Sequence, residues 1–86
     1  HAPAFWEQSN AETYIFRVFS KKSMQVTLQF TLGSDSLGKV LICEGKQFAP
    51  EDDKVIIPVS LEQGIQDIVI TASNDDLFSL RDWYIQ

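Results

Sequence analysis

The chain is poor in the residues that carry covalent and redox chemistry. Its 86 residues include one cysteine, Cys43, and one histidine, His1. A single cysteine forms no internal disulfide, which excludes a stapled scaffold. Within "KVLICEG" Cys43 reads as a buried, inert thiol, because no internal histidine is at hand to activate it. A histidine at the very start does not complete a Ser-His-Asp arrangement in any workable order. Basic residues are also few: seven Lys and Arg stand against twelve Asp and Glu, for a net charge of −5 and a pI near 4.5. Nucleic-acid affinity comes largely from Lys and Arg displacing counterions, so a nucleic-acid partner is disfavoured. The nearest basic cluster, Lys21-Lys22, falls between two apolar runs and reads as a polar turn. No run approaches the roughly 18 apolar residues of a membrane-spanning helix, so no membrane partner is expected, and no charged-then-apolar signal segment opens the chain. Helix-length apolar periodicity, internal repeats and nucleotide motifs are absent as well.

What is present is one domain's worth of β-patterned sequence. A hydrophobic fraction of 44% and a charged fraction of 22% are those of an ordinary globular chain. Residues 1–86 make a single domain with a small core, and the start at His1 points to processing or to excision from a larger protein. The dominant signal has period two. In "MQVTLQFTL", residues 24–32, Met24, Val26, Leu28, Phe30 and Leu32 share one parity, and Gln25, Thr27, Gln29 and Thr31 the other. "TYIFRVF" before it is β-rich with apolar residues on both parities, which predicts a strand covered on both faces. The short polar "SKKS", residues 20–23, predicts that these two strands pair as a hairpin. "KVLICE" predicts a strand, "GKQFAPEDDK" a loop with at most one helical turn at Pro50–Asp53, and "VIIPVSL" a strand whose Pro58 marks an edge or a bulge. "IQDIVITA" and "DLFSLRDWYIQ" flank the polar turn "SNDD", residues 73–76, and "AFWEQ" adds a strand near the start. Many short strands between turn signals predict an all-β fold, an antiparallel, jelly-roll-like β-sandwich of about seven to eight strands.

In "DLFSLRDWYIQ", Phe78 and Leu80 share one parity and Trp83 and Ile85 the other. Either a bulge near Arg81-Asp82 resets the register or the strand is covered on both faces. Trp83 then plugs the space between the sheets, and Asp82 partners backbone or Arg81. Organised catalytic chemistry is missing: twelve acids always provide carboxylate pairs, and such pairs carry no specificity. Asn74, Asp75 and Asp76 offer oxygen atoms of the kind a calcium ion takes, but tight turns favour the same residues and a calcium site needs six or more oxygens. No metal or cofactor is therefore expected, Ca2+ at this turn being the one alternative. Aromatic side chains are the richer inventory. Phe16, Phe30 and Phe78 read as core, whereas Trp6 and Tyr84 are candidates for stacking on the apolar face of a sugar ring.

The order of features resembles a known family. "AFWEQ", "YIFRVF", "SMQVTLQFTL" and "GKVLI" are similar to the opening of carbohydrate-binding-type β-sandwiches. These occur in families six and thirty-five and in small C-terminal domains of glycoside hydrolases such as α-fucosidases. "IPVSLEQGIQDIVITASNDDLFSLRDWYI" resembles their ending, through Leu61-x-x-Gly64 and Asp82-Trp83-x-Ile85. The resemblance implies a noncatalytic accessory module, secreted or at the cell surface, that holds a polysaccharide or oligosaccharide near a neighbouring catalytic domain in the parent chain. It implies stacking at Trp6 or Tyr84 and hydrogen bonds from Asn74, which takes the place of the family's sugar-binding Asn, with Asp75, Gln25 and Gln29 beside it. The stretch between "LICEGKQF" and "VIIPVSL" is shorter than in such modules. That favours an alternative, a structural or protein-interaction sandwich without a sugar site, for which a large exposed apolar patch is the signature. A small enzyme is a third reading, with no organised site behind it.

Overall fold

A computed structural model describes the backbone of residues 4–5 and the whole of residues 12–74 and 76–86. Its strands are β1 (Ala4–Phe5), β2 (Thr13–Ser20), β3 (Met24–Leu32), β4 (Leu41–Cys43), β5 (Lys46–Phe48), β6 (Lys54–Leu61), β7 (Gly64–Ala72) and β8 (Leu80–Ile85). They form two antiparallel sheets, a five-stranded one in the order β1-β2-β7-β4-β5 and a three-stranded one in the order β6-β3-β8. Among the described residues there is no helix. The all-β antiparallel sandwich expected from the alternation is the fold observed.

The inner faces are written in the period-two pattern. β2 buries Tyr14, Phe16 and Val18, β3 buries Val26, Leu28, Phe30 and Leu32, β6 buries Val55, Ile57, Val59 and Leu61, and β7 buries Ile68, Ile70 and Ala72. Each of the larger of these side chains, the Val, Leu, Ile and Phe, contributes on the order of 1.5–3 kcal/mol by leaving water. Rings from both sheets meet at the centre: Phe16 lies 5.2 Å from Phe30 and 5.0 Å from Trp83, and Tyr14 lies 5.0 Å from Phe78. The Tyr14 hydroxyl, buried with its ring, accepts a long hydrogen bond of 3.4 Å from the Leu80 amide. Cys43 lies in this core, as its apolar surroundings in sequence implied.

Two expectations about β2 are overturned. β2 and β3 are not a hairpin: β2 pairs with β1 and β7, and β3 pairs with β6 and β8. Both strands carry a fully apolar stripe, and stacking the stripes face to face across the core buries both at once, as the Phe16–Phe30 contact shows. "SKKS" is accordingly a corner between the sheets, tightened by the Ser20 hydroxyl donating to the Lys22 carbonyl at 2.6 Å. Nor is β2 covered on both faces, since Ile15, Arg17 and Phe19 point outward and are exposed. The loop expected over residues 45–54 contains β5, which pairs with β4 across a two-residue turn at Glu44-Gly45. Both turn residues have positive φ, 53° and 76°, the geometry of a type I′ hairpin. Residues 51–54 close a tight turn through reciprocal Glu51–Lys54 backbone bonds of 2.8 and 3.0 Å.

The final strand resolves by a bulge. Thr31 pairs with Asp82 but Leu32 pairs with Leu80, which leaves Arg81 as the extra residue. The reset lets Leu80, Trp83 and Ile85 all pack on the core, and it turns Asp82 and Tyr84 to the outside. Asp82 accepts from the Trp83 amide at 2.8 Å. β6, which contains Pro58, is an edge strand, as a residue without an amide proton requires.

Candidate functional site

Two surfaces gather polar side chains in the way a ligand site does. The first is at the end of the sandwich, where the loop after β3 meets the turn after β7. Gly33 N–H donates to the Ser79 carbonyl at 2.9 Å, and the buried Ser36 hydroxyl accepts from the Ser79 amide at 2.8 Å. The Asp35 carboxylate accepts from the hydroxyls of both Ser36 and Ser79. These bonds tie the two segments into the wall of a cleft of about 420 Å³ lined by Asp35, Lys39, Ser73, Asn74 and Asp76 among others. Across it Lys39 Nζ lies 3.7 Å from the Asp76 carboxylate. Among the described residues no aromatic ring lines this cleft.

The second surface is the outer face of the three-stranded sheet. Register places Ile56, Gln29 and Tyr84 side by side on β6, β3 and β8, so that a branched aliphatic, an amide and a phenol form a row about 10 Å wide. Tyr84 is 46% exposed and Ile56 55%. Pro58 and Thr27 make the next row, and Gln25 lies on the same face four residues from Gln29, about 13 Å along the strand. Beside the row opens a cleft of about 370 Å³ lined by Gln29, Ala49, Glu51, Asp52, Lys54 and Ile56. At its end the Asp53 carboxylate accepts from Lys54 Nζ at 3.2 Å and from Arg81 Nη2 at 2.8 Å. Hydrogen bonding from Lys54, aided by its charge and by Arg81, holds the Asp53 carboxyl below the usual carboxylate range. Arg81 reaches this position as the bulge residue, and the same bulge presents Tyr84.

The sequence candidates are therefore divided. Gln25, Gln29 and Tyr84 share the outer face of the three-stranded sheet, whereas Asn74 belongs to the sandwich-end cleft, and none of the described residues lines both clefts. Trp6 and Asp75 lie outside the described residues. Sequence reasoning missed Ile56, Glu51, Asp52 and Lys54 beside Gln29. Their signal was the outward parity of Gln29 combined with a β3–β6 register that only the fold supplies. It also missed Asp35 and Lys39 beside Asn74. Among the described residues no three His, Cys, Asp or Glu side chains converge as metal ligands.

No family model and no curated protein matches the chain by sequence. Solved structures do match its backbone. A CBM35 carbohydrate-binding module described as "Xyl-CBM35 in complex with glucuronic acid containing disaccharide" superposes with a TM-score of 0.67 at 12% identity, over 86% of this chain and 65% of that one. A CBM35 from Cellvibrio japonicus Abf62 superposes with the same score and identity, over 86% of this chain and 64% of its own. The fold is a carbohydrate-binding-module-like β-sandwich. This sandwich spans less than two thirds of the length of either module, and at such low identity the likeness is one of backbone. In the carbohydrate-binding-module-like frame, the described residues make the sandwich-end cleft and the outer sheet face separate surfaces with different chemistry: charged at the end, ring and amide on the face.

Proposed function

We propose that this domain is a noncatalytic carbohydrate-binding accessory module of a secreted or cell-surface carbohydrate-active enzyme. In this role it holds an oligosaccharide or polysaccharide near the catalytic domain of its parent chain. The observation that carries the proposal is the outward-facing row of exposed Ile56, half-buried Gln29 and exposed Tyr84 on a sandwich with the CBM35 fold. The Tyr84 ring stacks on the apolar face of a sugar while the Gln29 amide bonds its hydroxyls, with Gln25 available to the next unit along the strand. Asn74, Asp76 and Lys39 offer a second contact at the sandwich end, and Trp6 and Asp75 retain their proposed roles as ligand contacts. One of the similar modules is described with a glucuronic-acid-containing disaccharide, so uronic-acid glycans belong in the test.

Affinity gel electrophoresis against neutral and uronic-acid polysaccharides provides that test. At least one glycan is expected to retard the protein. Tyr84→Ala should abolish the retardation, and Gln29→Ala should weaken it about 5–10-fold, the worth of one hydrogen bond. Retardation lost in Asn74→Ala but kept in Tyr84→Ala moves the ligand to the sandwich end. Absence of retardation by every glycan would falsify the proposal.

The alternative, a structural or protein-interaction sandwich, is favoured by one specific observation. The outer face of the five-stranded sheet exposes Ile15, Phe19, Ile65 and Val69 together.

A further inference from the structure

That outer face has an internal pattern. β2 and β7 pair along their whole outward faces, which sets Ile15 beside Val69, Arg17 beside Asp67 and Phe19 beside Ile65. The four apolar residues are 47%, 45%, 43% and 71% exposed in that order, Ile15, Val69, Phe19, Ile65. Between their two rows, Arg17 Nε donates to Asp67 Oδ1 at 2.9 Å and Nη2 to Oδ2 at 3.3 Å. Single exposed apolar residues are ordinary, but two apolar pairs on one sheet, one on each side of an ion pair, form a surface of the kind that marks an interface.

We propose that this face pairs with the same face of a second copy of the chain. The two-fold axis lies in the interface and runs along the strands between β2 and β7. Such an axis exchanges β2 and β7 at every level, so each row meets its own reverse. Ile15 then faces the partner's Val69, Phe19 faces the partner's Ile65, and Arg17 faces the partner's Asp67. The charges select both the occupant and the axis. One cation and one anion side by side are self-complementary under this rotation and close a four-charge ring. An in-plane axis across the strands would instead set Arg17 over Arg17 and Asp67 over Asp67, which like-charge repulsion disfavours. The face covers at most roughly 500 Å² per copy, from about 26 Å of strand and four strand spacings. Two copies bury at most about 1,000 Å² in total, below the usual range of specific stable interfaces, so the dimer is weak and depends on concentration. This pairing does not depend on the sugar site, which is on the opposite sheet.

Sedimentation velocity over roughly 10 μM to 1 mM reads the equilibrium directly. The wild-type chain should pass from one chain mass towards two as concentration rises. Arg17→Asp and Asp67→Arg should each be monomeric throughout, because each sets like charges against one another across the axis. An equimolar mixture of the two should recover the dimer, since one chain then presents two acids and the other two bases. Ile65→Lys, at an exposed position that leaves the core intact, should also be monomeric. A wild-type chain that stays monomeric at 1 mM overturns the proposal and leaves the face to a neighbouring domain. A dimer that survives Ile65→Lys, or single charge variants whose mixture does not associate, overturns it equally.

Discussion

At Gly33 the chain leaves β3 so close to β8 that a methyl group on its Cα would collide with the Ser79 hydroxyl. That hydroxyl donates to Asp35 and helps to build the wall of the sandwich-end cleft. Gly33→Ala should therefore destabilise the fold by about 1–3 kcal/mol, the cost of overpacking, as read from the midpoint and slope of urea unfolding. Ser79→Ala in the same chain should recover part of the loss; full additivity of the two would remove the steric explanation. Nothing local in the sequence marks Gly33 for this role, because closeness to a residue 46 positions later leaves no trace among its neighbours. Cys43 is the opposite case, a residue whose burial was legible from its neighbours. Burial, with a smaller contribution from Glu44, pushes its thiol above the usual range. A thiol reagent at pH 8 should label the native protein far more slowly than the urea-unfolded chain, and equal rates would show that the residue is exposed. The same shift makes stability fall as pH rises past about 8.5, where the unfolded chain ionises its thiol and the folded one does not.

At the scale of elements, alternation located β2, β3, β6 and β7, because one buried face writes itself into every second residue. It did not find β5, whose three residues are too short to show a period. It also misjudged which strands pair, since parity is the same whether two strands lie side by side or face to face. The β4–β5 turn shows what local chemistry conceals. Glu44 holds φ of 53°, a left-handed value at which Asn and Gly are the usual residues. Glu44→Asn, giving Asn-Gly at the turn, should stabilise the domain by about 0.5–1 kcal/mol in thermal or urea unfolding. A loss of stability would mean that the turn is not of the primed type. The bulge at Arg81 is the element on which the proposed site depends. The sequence contained both the parity conflict and its two resolutions, and the pairing of Thr31 with Asp82 and Leu32 with Leu80 decides between them.

For the whole molecule, the described ion pairs lie on the surface of a chain with net charge −5. Hydrogen bonds from Arg17 hold the Asp67 carboxyl below its usual range, as Lys54 and Arg81 do for Asp53. Carboxyls lowered in the folded state bind protons later than the same groups in the unfolded chain. Their stabilisation is therefore complete above the ordinary carboxylate range near pH 4 and is lost as pH falls through the folded values. The melting temperature should accordingly drop as pH falls from 5 towards 2, with a shallower drop for Asp53→Asn and Asp67→Asn. Identical slopes in wild type and variants would show that these exposed pairs are screened to nothing. Because the pI is near 4.5, this titration also passes through the least soluble region and is best followed at low protein concentration.

Composition and alternation by themselves determined that the chain is an all-β antiparallel sandwich, that Cys43 and the Phe16–Phe30–Phe78 rings are core, and that the last strand carries a parity conflict. These follow from side-chain parity and burial, which are local properties of the chain. Only the tertiary structure decided which surface each outward residue joins. It separated Asn74 from Tyr84, brought Gln29 between Tyr84 and Ile56, and left Ile15, Phe19, Ile65 and Val69 together on an open sheet. The physical reason is that strand order and register are set by non-local pairing, which one strand's sequence does not encode, so a surface assembled from three strands exists only once they are docked.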